Sequence, residues 1–205
     1  CPHPTLFAVL QSRMHEAWAR FFASSLEERL RYTPSDCFET FPLPPSFEFN
    51  VTLEHVGCTY YDFRAQLMQR ENKGLTAIYN WFHDPECECP GIPKLRELHD
   101  AMDRAVLDAY GWTDIQPRCE FMPEFDDEED EDDSARPRRK KHRYRWPDDI
   151  RDEVLARLLE LNRQRALEEG QVQAEPPVLA GTADPAPKKE GGKKKSARRP
   201  GESLD

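Results

Sequence analysis

Residues 31–44 read RYTPSDCFETFPLP and separate the helical segments on either side of them. They combine cationic, hydroxyl, aromatic and proline residues with almost no aliphatic residues. Each X-Pro step pushes the preceding residue out of the helical region, and each proline removes a backbone donor. The stretch therefore predicts a connector that is neither helix nor strand. Two interpretations stay open: its aromatic residues pin it to a neighbouring element, or its polar residues contact a phosphate-rich partner.

Helical periodicity dominates on both sides of this connector. Apolar residues at helical spacing predict helices over residues 5–22, 53–70, 75–82 and 93–110. The segment Asn72-Lys73-Gly74 ends the second of them through a residue able to adopt positive φ, and Gly111 ends the fourth. Residues 146–149 (WPDD) start a further helix that reaches about Glu169. No segment alternates with a period of two, so we predict a mainly α fold: a small helical assembly with long Pro-rich and charged connectors.

The charge of the chain is unevenly distributed. Among 205 residues there are 29 Lys and Arg against 39 Asp and Glu, a net charge of -10. Consecutive acids at residues 126–133 supply most of this excess, and a basic block at 136–145 follows them. The overall acidity therefore does not exclude a nucleic-acid partner. The two blocks are typical of a solvated linker or of an electrostatic flap over phosphates.

The sequence shows no signal-peptide pattern and no apolar run near the roughly 20 residues of a membrane span. The chain has six cysteines, which we expect to be reduced in a cytoplasmic protein without membrane contact. It begins with Cys1, and the residues just after it already have the character of a helix interior. We therefore expect it to continue a longer protein on its N-terminal side.

The sequence carries no catalytic signature. It contains no glycine-rich phosphate loop, nucleophile elbow or Asn-Pro-Pro-Tyr step, so we expect no catalytic or cofactor-binding residue. Cys87 and Cys89, flanked by His83 and His99, are a weak zinc alternative because Cys-x-Cys lacks the usual knuckle spacing. We expect no metal site, with the cysteines as loop residues and His99 as a surface or capping residue.

The connector region supplies the candidate DNA contacts. Hydroxyl and guanidinium groups are the types that contact phosphates and base edges, and here they belong to Arg29, Arg31, Tyr32, Thr33 and Ser35. The chemistry alone leaves DNA contact and structural pinning as equal alternatives.

Several blocks, in the same order, resemble one protein family. They are LQSRMHEAWAR (10–20), LRYTPSDCFETFP (30–42), NKGLT (72–76), YN (79–80), FHD (82–84), LRELH (95–99), MDRAVLDAYGW (102–112) and YRWP (144–147). Together, over roughly residues 5–165, they resemble the C-terminal part of type IIG-like, adenine-specific DNA methyltransferases of restriction–modification and phage-defence systems.

The resemblance implies a division of the chain and a set of partners. Proteins of this family bind S-adenosylmethionine and methylate adenine N6 after flipping the base out of the duplex. The implied partners are double-stranded DNA and an upstream methyltransferase catalytic domain, which would hold the cofactor. The implied regions are the end of a target-recognition domain (1–50) and a helical C-terminal region (51–120). Composition and charge add a charged linker (121–145), a C-terminal helix (146–170) and a disordered tail (171–205).

The resemblance predicts a recognition and support fragment that is catalytically inert alone and belongs to a larger α/β protein. A stand-alone helical protein-interaction module of a defence system is the first alternative. A small zinc-supported enzyme or adaptor that uses Cys87 and Cys89 is the second.

Overall fold

A computed structural model describes residues 2–23, 32–123 and 142–170 of the chain. These residues form seven α-helices, one 3₁₀ turn and a two-stranded antiparallel sheet, so the predicted mainly α fold is confirmed. No helix in this part of the chain is both long and apolar enough to span a bilayer. The acidic run at 126–133 and the tail at 171–205 lie outside the described residues.

The helices agree well with the periodicity of the sequence. They are α1 (Pro4–Gln11), α2 (Arg13–Phe22), α3 (Pro34–Cys37), α4 (Val51–Glu71), α5 (Leu75–His83), α6 (Gly91–Ala109) and α7 (Asp148–Glu168). The 3₁₀ turn is Phe47–Phe49, and the strands are β1 (Glu120–Pro123) and β2 (His142–Arg145). The predicted ends of α4 and α6 are confirmed: within residues 72–74 the positive φ belongs to Asn72, at 49°, and Gly111 has a φ of 80°.

The centre of the core is α4, which packs against both α1 and α6. Its fully buried residues and those of α6 recur at helical spacing: Leu53, Tyr60 and Leu67 on α4, and Leu95 and Met102 on α6. Gly57 of α4 is buried, and a Cβ atom at this position would overlap the backbone carbonyl of Pro4. The absence of a side chain at Gly57 therefore permits the close approach of α1 to α4.

The single helix predicted over residues 5–22 is in fact two helices. The chain leaves the helical conformation at Ser12, whose ψ is 157° and whose hydroxyl donates to the Val9 carbonyl at 2.7 Å. The backbone N–H of Arg13 then donates to Asp103 Oδ1 on α6 at 3.0 Å. Because a helix start leaves backbone donors without intrahelical partners, this tertiary bond stabilises the start of α2.

The connector, predicted to be neither helix nor strand, contains one helical turn. Pro34 stands at the first position of α3, where a helix does not need the N–H that proline lacks. The turn ends at the fully buried Cys37. The prolines of this stretch therefore limit the helix to one turn without preventing it.

The region predicted as a charged linker, residues 121–145, begins and ends in two short strands that the sequence did not predict. The strands pair with Phe121 opposite Tyr144. Each has only four residues, too few for a convincing period-two pattern. The backbone N–H of Tyr144 donates to His83 Nδ1 at 3.1 Å, which attaches β2 to the end of α5.

Candidate nucleic-acid interface

Helix α2 presents different residues to two opposite sides. In a helix, residues three and four apart lie on one face. One face carries Arg13, Glu16, Ala17 and Arg20, which border a pocket. The opposite face carries His15 and Trp18, which contact the connector. The two sides of α2 are therefore separate candidate contact regions.

The connector is pinned to α2 by aromatic contacts. The ring of Phe41 meets His15 and Trp18 nearly edge-on, at centroid distances of 4.8 and 5.9 Å. The indole Nε1 of Trp18 donates to Thr40 Oγ1 at 3.2 Å. The buried thiol of Cys37 lies 3.8 Å from a backbone carbonyl of α2. The pinning interpretation of the connector is therefore correct for Phe41, and it does not exclude DNA contact by the exposed residues around it.

The predicted DNA-contact residues that the structure describes lie at the start of this connector. Tyr32 is 45% exposed, and its hydroxyl lies 3.0 Å from His15 Nε2. Thr33 is half-buried and its carbonyl accepts the first hydrogen bonds of α3. Ser35 is exposed. DNA contact by these residues stays a prediction, and the two others lie outside the described residues: Arg29 and Arg31.

The other side of α2 borders a pocket of about 300 Å³. Its remaining walls come from the end of α5, from both strands and from the start of α7. Among the described residues, its lining has five guanidinium groups and one carboxylate, that of Glu16; the arginines are Arg13, Arg20, Arg143, Arg145 and Arg151. Arginine side chains recognise carboxylates and phosphates through paired hydrogen bonds, so this composition is typical of an anion site.

The deepest of these arginines, Arg13, is only 5% exposed and belongs to an ionic network. Its Nη1 lies 2.5 Å from Asp103 Oδ2 and 3.1 Å from Asp100 Oδ1. The same nitrogen lies 2.8 Å from His99 Nδ1, and here the guanidinium donates because it has no acceptor. The ring of Tyr144 lies 5.3 Å from the guanidinium carbon. The network compensates the buried charge and connects α2 to α6.

The electrostatic effects in this network favour the ionised forms. Burial by itself raises the pKa of Asp103, but the Arg13 guanidinium beside it holds this pKa below its usual range. Burial by itself lowers the pKa of Arg13, but the carboxylates around it, Asp103 foremost and Asp100, help to hold this pKa above its usual range. Both groups are therefore charged at neutral pH.

One expectation about α6 was wrong. His99, expected at the surface or at a cap, is 5% exposed and lies inside the network. Its neighbour Asp100 accepts from Arg13 and from the Tyr144 hydroxyl at 2.9 Å. Arg104, which has a carboxylate four residues before it and another four residues after it, pairs with the later one, Asp108, at 2.7 Å. Tertiary contacts of Asp100 therefore decided between the two partners that the i, i+4 spacing offered to Arg104.

Three potential metal ligands also meet at this network. The ligand atoms of Asp100, Asp103 and Cys119 lie within 4.8 Å of one another. Arg13 already supplies the cation for both carboxylates, and burial raises the pKa of the Cys119 thiol, which keeps it neutral. The cluster is therefore an ion-pair network. It is the one group of this kind among the described residues, so zinc binding around residues 87–89 gains no support.

Two buried nitrogen donors in the pocket wall have no hydrogen-bond partner among the residues that the structure describes. They are Arg13 Nη2 and the indole Nε1 of Trp146, which is 3% exposed. His83 also lines the pocket, but its Nδ1 accepts from Tyr144, so its proton is on Nε2. Burial, assisted by Arg143, lowers the pKa of His83 to about 4. The pocket therefore combines cationic groups with uncommitted N–H donors.

The N-terminal part of the chain, which includes α1, α2 and the connector, matches a known family. Residues 2–45 match the family described as "MmeI, target recognition domain". The match confirms the resemblance to type IIG restriction–modification DNA methyltransferases at the level of the recognition domain, and it indicates DNA sequence recognition in a restriction–modification enzyme. No curated protein and no solved structure matches this chain significantly.

The recognition segment, residues 2–45, provides only one wall of the pocket. That wall is the face of α2 with Arg13 and Arg20, and every other lining residue comes from position 83 or later. Local spacing gave no sign of this arrangement. The polar triplet QSR at residues 11–13, which interrupts the apolar helical pattern, is the signal that could have indicated a special role for Arg13.

The pocket does not suit S-adenosylmethionine, the cofactor that the resemblance implies. The sulfonium and amino groups of that cofactor are cationic and would face several guanidinium groups. The one carboxylate in the lining, that of Glu16, already pairs with Arg20 at 2.9 Å. No step of methyl transfer is therefore assigned to the residues of this pocket.

Proposed function

We propose that the chain is the C-terminal recognition and support fragment of a site-specific adenine-N6 DNA methyltransferase. The match of residues 2–45 to a target recognition domain carries this proposal. The later sequence blocks, which follow the order of the same family, support its extension to about residue 165. In this proposal an upstream catalytic domain binds S-adenosylmethionine, and the whole enzyme acts in the cytoplasm in restriction–modification or phage defence.

The packing of the described helices supports the division of labour in this proposal. The helices α4 and α6 hold the recognition segment through α1 and through the Arg13–Asp103 pair. The exposed Tyr32 and Ser35 lie on the solvent side of the pinned connector, where they are available to DNA. The sequence lacks a cofactor loop and the Asn-Pro-Pro-Tyr step, so we expect the chain alone to transfer no methyl group.

Binding of duplex DNA to the purified chain tests the proposal. We expect binding that weakens steeply between about 50 and 200 mM salt, because arginine–phosphate contacts release counterions. Arg31→Ala is expected to reduce this binding, whereas Arg163→Ala, the same change on an exposed part of α7, serves as the control. No DNA binding even at about 50 mM salt would overturn the proposal. Methyl transfer by the chain alone would overturn its inert character.

An exposed apolar pair favours a second function, that of a protein-interaction module. Phe49, the last residue of the 3₁₀ turn, is 87% exposed, and Val51, the first residue of α4, is 76% exposed. Neighbouring exposed apolar side chains are typical of contact surfaces. In the main proposal they would contact the catalytic domain, and in the alternative a separate defence subunit. Only the main proposal requires DNA binding, so the salt titration above distinguishes the two.

A further inference from the structure

We infer that the pocket between α2, the β-strands and the start of α7 binds a backbone phosphate of double-stranded DNA. The inference rests on the proposed function, because it assumes that DNA is the partner. It adds a specific contact site, most of whose residues lie outside the matched segment 2–45. The arginine-lined pocket is called the phosphate pocket below.

The guanidinium groups on the solvent side of the phosphate pocket are held in ion pairs with partly exposed carboxylates. Arg145 and Arg151 both contact Asp148, at 2.6 and 2.8 Å. Arg151 also contacts the exposed Asp152, and Arg20, on the α2 side of the pocket at 50% exposure, pairs with Glu16. Exposed ion pairs of this kind are weak and can exchange one partner for another. A phosphate can therefore displace a carboxylate here and bind two guanidinium groups at once.

The interior side of the pocket supplies two N–H donors that no other described residue uses. Arg13 is 5% exposed, and its two carboxylate partners bind Nη1, which leaves Nη2 without a partner among the described residues. Trp146 contributes its buried Nε1, also without a partner in the described part of the chain. A buried donor without an acceptor costs free energy, and phosphate oxygens are acceptors. Phosphate oxygens in the pocket would supply acceptors for these nitrogens and leave the Arg13–Asp103 pair, which uses Nη1, in place.

The position of the pocket on α2 favours DNA as the source of the phosphate. The opposite face of α2 holds the connector, with the exposed Tyr32 and Ser35. Contacts to backbone phosphates fix the register of a protein on the duplex, and contacts to base edges specify the sequence. A phosphate held on one side of α2 would fix the orientation of this helix, and with it that of the connector, relative to the duplex.

The indole N–H of Trp146 provides a direct measure of occupancy. The chain has four tryptophans, so few indole cross-peaks appear in a nitrogen–proton NMR spectrum of the full chain, and Trp146→Phe identifies the relevant one. We expect this cross-peak to shift when inorganic phosphate is added at constant ionic strength, and not when chloride replaces it. A cross-peak that stays unchanged with both phosphate and duplex DNA would overturn the inference.

DNA titrations of pocket variants provide the second measure. We expect Arg20→Gln, Arg151→Gln and Trp146→Phe each to weaken duplex binding about three- to tenfold, the scale of one lost hydrogen bond. The arginine variants should also reduce the salt slope by about 0.9. Arg163→Gln removes the same charge from a side chain of α7 that is 53% exposed and lies outside the pocket, and should bind like the unsubstituted chain. Circular dichroism checks that Trp146→Phe is folded.

The possible results separate this inference from the proposed function. If the pocket variants bind DNA like Arg163→Gln while Arg31→Ala loses binding, the inference is wrong and the proposed function stands. If inorganic phosphate shifts the Trp146 cross-peak but duplex DNA does not bind, the assignment to DNA and the proposed function both fail. If the pocket variants lose both phosphate binding and DNA binding while Arg163→Gln keeps them, the inference and the proposed function are both supported.

Discussion

Replacement of Asp103 by asparagine tests whether the buried ion pair holds α2 to α6. Asp103 is fully buried and accepts from Arg13 twice, from Nη1 at 2.5 Å and from the backbone N–H at 3.0 Å. Asp103→Asn preserves the shape of the side chain and removes its charge. Arg13 is then left with Asp100, a carboxylate that is 36% exposed and 3.1 Å away.

The expected cost follows from the burial of the charge that remains. Removal of one partner from a buried ion pair destabilises a protein by about 3–5 kcal/mol, because the other charge stays buried and uncompensated. Asp100 still compensates part of the charge of Arg13, so we expect the lower end, about 3 kcal/mol. In a chain of this size that loss lowers Tm by about 6–12 °C.

Urea unfolding and thermal melting, both followed by circular dichroism, measure this loss. The control is Asp108→Asn, the same chemical change on the same helix, at a side chain that is 51% exposed and paired with Arg104. We expect the control to change the free energy of unfolding by less than about 0.5 kcal/mol. A loss below about 1 kcal/mol for Asp103→Asn would refute the argument that this network stabilises the start of α2.

Two further predictions concern acid sensitivity and helix packing. Burial lowers the pKa of His83 to about 4. As the pH falls, His83 is therefore protonated in the unfolded chain before it is protonated in the folded chain. The free energy of unfolding should then drop by up to about 2 kcal/mol between about pH 7 and pH 5. His83→Asn keeps an acceptor for the backbone N–H of Tyr144 and should abolish this drop, as measured by urea titrations at the two pH values. Gly57→Ala should cost about 1–3 kcal/mol, because its methyl group overlaps the α1 backbone. Gly74→Ala meets no atom within 4 Å and should cost under about 1 kcal/mol, so equal losses would contradict this packing.

The sequence predicted those parts of the fold whose stabilising contacts repeat along one element. In α4 and α6 the buried residues recur at helical spacing, so the apolar pattern located both helices. Their ends were also predictable, because Asn72 and Gly111 adopt the positive φ that ends a helix. Such signals are local and need no knowledge of the rest of the chain.

The break in the first helix and the phosphate pocket depended on contacts that no local pattern contains. Arg13 and Asp103 are separated by 90 positions, and their hydrogen bond at the start of α2 forms only in the folded chain. The same holds for β1 and β2, four residues each, whose pairing brings Tyr144 next to the network. A charged residue such as Arg13 reads as exposed from sequence alone, since burial of arginine is rare without a partner. The candidate pocket was therefore not predictable even though its basic residues were visible.

The end of the family match at residue 45 is not a structural boundary. The guanidinium of Arg13 links the matched segment to later parts of the chain. Its Nη1 binds two carboxylates of α6, and its Nη2 has no hydrogen-bond partner among the described residues of the pocket wall. A segment ending at residue 45 would lack both the carboxylates that compensate this buried charge and the arginines of β2 and α7. A buried guanidinium without carboxylates is strongly unfavourable, so α2 could not keep its present environment. The recognition segment therefore depends on the helical region that follows it for its stability, and the same region supplies most of the positive charge beside it.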